Sequence, residues 1–67
     1  MDRYNMIIDT QDLDSSSPIG AVAIWDKELK ALIFLGSIKK PRPEFMEEIK
    51  AIASKHNIGM NCIIELP

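Results

Sequence analysis

From Ile19 to Leu35 the chain reads IGAVAIWDKELKALIFL, two apolar runs separated by the polar break Asp26-Lys27-Glu28. Two such runs joined by a few polar residues predict a β-hairpin. The break lacks the Asn-Gly or Asp-Gly of a two-residue turn, which predicts a somewhat longer connection. Neither run alternates cleanly. Ile19, Ala21, Ala23 and Trp25 fall on one face with Val22 and Ile24 on the other, and in the return strand Leu29, Ala31, Ile33 and Leu35 oppose Leu32 and Phe34. Strands that are apolar on both faces need cover on both faces.

The flanking segments supply one covering element. Tyr4 to Asp9, YNMIID, is β-branched and aromatic in character and predicts a first strand. Thr10 to Pro18 carries Asp12, Asp14 and three serines, whose side chains bond nearby backbone and favour turns, so it predicts a loop. Gly36 closes the third strand, Ser37 to Arg42 connects, and Pro43 suits the first helical position because its fixed φ fits and its missing N–H is not needed there. Between Glu44 and His56, Phe45, Met46, Ile49, Ile52 and Ala53 recur at helical spacing. Asn57 and Gly59 mark the helix stop, and Met60 to Leu66, MNCIIEL, returns to a strand pattern.

The element order is therefore β-β-β-α-β, an α+β fold with one covering helix. A helix joining two strands of one sheet makes a right-handed crossover, so the fourth strand should run parallel to its neighbour. The hairpin occupies one side of strand 1 and leaves the other free, which predicts a mixed sheet in the order 3-2-1-4. One helix covers one side of such a sheet. The expectation is that one of two apolar sets stays uncovered, Val22, Ile24, Leu32 and Phe34 or else Trp25, Ile33 and Leu35. Val22, Ile24, Trp25, Leu32 and Phe34 are the candidate interface residues, with a twofold homodimer, a larger partner or later helices of a longer protein as the cover.

Composition changes this picture little. Sixty-seven residues make one small domain, 1–67, with 46% hydrophobic and 27% charged residues, which is an ordinary globular balance. A net charge of −2 gives no overall pull toward nucleic acid or an anionic membrane. Cys62 is the single cysteine, so no internal disulfide forms and a reducing, cytoplasmic setting is expected. The opening residues carry no basic n-region or small-residue cleavage site, and no apolar run reaches membrane-spanning length, so no membrane partner is expected.

Two acids stand at predicted strand ends: Asp9 closes MIID and Glu65 lies in CIIELP. In the 3-2-1-4 order they would sit at the C-terminal ends of adjacent parallel strands, where open α/β sheets place ligand sites. With the glycine-bearing strand SPIGAVAIWD and the helix PEFMEEIKAI, these segments resemble the N-terminal half of a ribonuclease H-like domain, closest to the RuvC-like Holliday-junction resolvases. The resemblance implies Asp9 and Glu65 as Mg²⁺ or Mn²⁺ ligands and Asp9, Glu65 and Glu44 as catalytic acids. It also implies phosphodiester hydrolysis of DNA or RNA, completed by further sequence or a partner. Thr10-Gln11 replaces the glycine-containing turn usual in that family, and the acids that the family draws from its C-terminal portion have no counterpart in these 67 residues.

Lys39, Lys40 and Arg42 beside Pro41 and Pro43 would contact phosphates near such a site, although three charges on a connector read first as a solvated segment. His56 at the last helical turn reads as a helix-end cap and Cys62 as a small buried hydrophobe. Two functions therefore stand side by side: a metal-dependent nuclease portion, inactive as the isolated chain, and a non-catalytic interaction module acting as a dimer or on a larger protein.

Overall fold

A computed structural model describes residues 3–66. Strand β1 (Tyr4–Asp12) pairs antiparallel with β2 (Ile19–Asp26) and parallel with β4 (Ile63–Leu66), and β3 (Ala31–Ile38) pairs antiparallel with β2. The sheet runs β3-β2-β1-β4, with helix α1 (Arg42–Lys55) carrying the chain from one edge to the other. This is the mixed α+β arrangement that the apolar pattern predicts.

The core lies between the helix and one face of the sheet. Met6 and Ile8 from β1 and Val22 and Ile24 from β2 are buried against Phe45, Ile49 and Ala53 of α1. Gly20 permits the closest approach: a Cβ there would overlap the Phe45 ring, with Cζ only 2.7 Å away. Leu13, just after β1, is also buried and plugs the core from the loop.

Both strand alternation and element boundaries depart from the sequence reading at identifiable points. β1 continues three residues past Asp9 because an irregularity between Asp9 and Asp12 sets Thr10 and Gln11 against Gly20 alone. The helix begins at Arg42, with Pro41 as its extended N-cap. It ends with Asn57 at φ 56°, where Ile58 N–H bonds to Ala53 O (2.8 Å) and Asn57 N–H to Ser54 O (3.2 Å). That pair of bonds satisfies the last carbonyls while burying Ile58. Met60–Cys62 forms a single 3₁₀ turn, so strand β4 is four residues long and Cys62 is buried without strand alternation.

In β3, Ile24 pairs with Phe34 but Trp25 pairs with Leu32, leaving Ile33 as an extra residue. A bulge of this kind shifts the parity of everything beyond it. Leu32 therefore joins Leu35 on one face instead of opposing it, and Leu29 lies in the turn between β2 and β3. That turn spans Lys27 to Lys30, longer than two residues, and Lys30 takes a positive φ of 55°.

Candidate functional site

Register decides what the strand-end acids can do. Ile8 pairs with Glu65 and Asp9 with Leu66 across the parallel β1–β4 pair. Neighbouring strand residues point to opposite faces. Glu65 accordingly shares the helix-covered face with Ile8 and Thr10, and its Oε2 accepts a 2.6 Å hydrogen bond from Thr10 Oγ1. Asp9 projects from the other face, into a groove shared with Ile7, Ala21, Ala23, Leu35 and Leu66, and its Oδ1 accepts from the Gln11 N–H at 3.1 Å. Glu44 is exposed in the first helical turn.

The pairing that Mg²⁺ or Mn²⁺ would need is thus split by the sheet. Hard cations of this kind require several oxygens converging on one point. Among the described residues no group of three or more His, Cys, Asp or Glu could hold a metal ion. The residues present do not fit the two-metal centre that the family resemblance implies, and no chemical step can be derived through it.

Two of the three connector cations, Lys40 and Arg42, are drawn into the fold's own ion pairs. Lys40 Nζ lies 2.7 Å from Glu48 Oε1, and this hydrogen-bonded carboxylate holds the ammonium above its usual value. Arg42 reaches Asp14 at 3.4 Å and Glu65 at 4.0 Å. These pairs are exposed and contribute little to stability, but they offset the positive charge that a phosphate would need. Lys39 borders a separate notch with Ser17, Pro18 and Ile19.

The best-built polar constellation was not legible as a motif. Asp26, 1% exposed, receives Arg3 Nε and Nη2 at 2.9–3.1 Å and accepts the Glu28 and Leu29 backbone N–H groups on Oδ1 at 2.9 and 3.1 Å. The Arg3 hydrogen bonds, joined by those two N–H donors, hold its carboxyl below the usual aspartate value against the opposing effect of burial. Arg3 lies 23 residues away in sequence, so only the fold brings the pair together. Its role is to tie the β2–β3 turn to the start of β1. The adjoining cavity, lined by Arg3, Tyr4, His56 and Cys62 among others, is about 190 Å³, below the usual size of a small-molecule site. His56 Nδ1 lies 2.9 Å from Ile52 O and its ring meets Phe34 edge-on, which is the helix-end role expected of it.

Opposite the helix lies the feature of greatest extent. The registers align side chains in rows across the open face: Leu35–Ala23–Ile7–Ile64, then Ser37–Ala21–Asp9–Leu66, then Leu32–Trp25–Asn5. Leu35 is 74% exposed, Leu32 52%, Ile64 48% and Leu66 44%. Of the five interface residues expected from sequence, Trp25 and Leu32 belong to this face. Val22 and Ile24 do not: they are buried beneath α1, and Phe34 packs against the same core. Alternation from Trp25 separates them, and the Ile33 bulge moves Leu32 to the open side. Leu35 belongs to the set expected with Trp25, whereas Ile64 and Leu66 were missed because only register reveals that they share this face.

No helix among the described residues is long and apolar enough to cross a membrane. No family model, curated protein or solved structure matches the chain.

Proposed function

We propose that this chain is a non-catalytic interaction module that binds protein through the open face of its sheet. The observation that carries this reading is the apolar row Leu35–Ala23–Ile7–Ile64, which crosses all four strands without a polar residue. Apolar burial is the main favourable contribution to association, and contiguous exposed apolar surface of this kind marks interaction sites. The helix-covered face has its own core and needs nothing more. Asp9 and Glu65 on opposite faces favour binding over phosphodiester hydrolysis. With Cys62 as the single cysteine of the sequence, a reducing compartment suits the chain, and the cytoplasm is the proposed location.

Methyl NMR with a soluble paramagnetic agent tests the reading. In dilute protein the methyls of Leu32, Leu35, Ile64 and Leu66 should be strongly relaxed while those of Val22, Ile24 and Ile49 are protected. Protection of both sets in a monomer would mean that the sheet covers itself, and the reading would fail.

A further inference from the structure

We infer that the occupant of the open face is a second copy of this chain, stacked sheet to sheet about a twofold axis that runs along the strands between β1 and β2. The inference rests on the interaction-module reading and names its partner.

An isologous interface must carry both a protrusion and the depression that receives it. This face does. Ala21 and Ala23 form the floor of a trough along β2, a groove of about 210 Å³ walled by Leu35 on one side and by Ile7, Asp9 and Leu66 on the other. Ile7 stands on the adjacent strand, paired with Ala23. A twofold axis between these two strands lays β1 of each copy over β2 of the other. Each Ile7 then faces the trough above Ala23, and at the margins Leu35 of one copy meets Ile64 of the other. Large residues oppose small ones in the centre and large oppose large at the edges.

Overlap favours this axis over one displaced toward the hairpin. An axis between β2 and β3 would cover only the hairpin and leave Ile7, Ile64 and Leu66 in water. The axis between β1 and β2 superposes all four strands and buries the most apolar area, which is what stabilises the contact. The rows contain no Lys or Arg, and Asp9, their one charged side chain, loses water on stacking and opposes the contact.

Size sets the strength. Four strands about 4.8 Å apart and five residues deep make a face on the order of 300 Å². With the side chains standing on it, total burial comes to roughly 1,000 Å², just below the range of about 1,200–2,000 Å² for stable specific interfaces and within that of weak ones. A weak, reversible dimer is the corresponding expectation.

Sedimentation equilibrium from 1 to 200 µM tests the inference on the wild type and on variants at the trough and the margin. The wild type should pass from monomer to dimer. Ala23→Leu, which fills the trough, and Leu35→Lys, which charges the margin, should each weaken dimerisation at least tenfold, while Lys50→Glu on the exposed side of α1 should leave it unchanged. Circular dichroism establishes folding, and Leu35→Ser replaces Leu35→Lys if the latter unfolds. A wild type that stays monomeric at 200 µM overturns the second copy as occupant. The paramagnetic experiment then separates the two failures, because an exposed face keeps the module reading and a protected one ends it. A dimer indifferent to Ala23→Leu and Leu35→Lys also overturns the inference and points instead to pairing along the uncharged edge strand β3.

Discussion

Thr10 Oγ1 donates to Glu65 Oε2 at 2.6 Å on the helix-covered face, while Asp9, one residue before Thr10, projects from the other face. One step along a strand thus separates two acids that sequence alone places together. Titration with Mn²⁺ should accordingly give no saturable broadening shared by the amides of Asp9 and Glu65. A single saturable site affecting both at millimolar metal would contradict this geometry.

The same placement gives Asp9 a sign opposite to that of a metal ligand. In a stacked dimer its carboxylate loses water without gaining a cation, which disfavours association. Asp9→Asn should tighten the dimer several-fold in sedimentation. Weaker association in that variant would mean that the carboxylate makes a favourable contact across the interface.

Gly20 is a packing requirement. Because Phe45 lies where a Cβ would project, Gly20→Ala should cost about 1–3 kcal/mol of stability through overpacking. Phe45→Leu in the same chain should recover part of that loss, a coupling expected of residues in contact. Urea unfolding of the two single variants and the double variant measures it, and simple additivity would place the strain elsewhere.

Acid should loosen the β2–β3 turn. Arg3 and two backbone N–H donors hold the Asp26 carboxyl below its ordinary value in the folded chain, so the folded state binds the proton less well than the unfolded state. The stabilisation is complete above the ordinary aspartate value of about 4 and is lost as pH falls through the lowered folded value. Thermal unfolding between pH 2 and 7 should show this loss. Asp26→Asn should lower Tm at pH 7 by roughly 5–10 °C and reduce the acid slope, whereas an unchanged slope would remove Asp26 from the account.

Where the sequence was legible, local chemistry and periodicity pointed the same way. The 3-2-1-4 sheet follows from the hairpin, the crossover helix and the one side of β1 left free. Phe45, Ile49 and Ala53 fall on the buried stripe that helical spacing gives them. The interface was legible only in part because face assignment depends on register. One extra residue, Ile33, reverses the parity of Leu32, and a four-residue β4 aligns Ile64 and Leu66 with Ile7 and Asp9. The Arg3–Asp26 pair was invisible for a different reason: its partners meet only after β1 and β2 have paired.

The most direct measurement is an isotope-filtered NOE experiment on a mixture of labelled and unlabelled chains near 1 mM. Stacking about the proposed axis predicts intermolecular NOEs from Ile7 methyls of one copy to the Ala23 methyl of the other, and from Leu35 to Ile64. Intermolecular NOEs confined to β3 backbone protons, or none from the open face at that concentration, would contradict it.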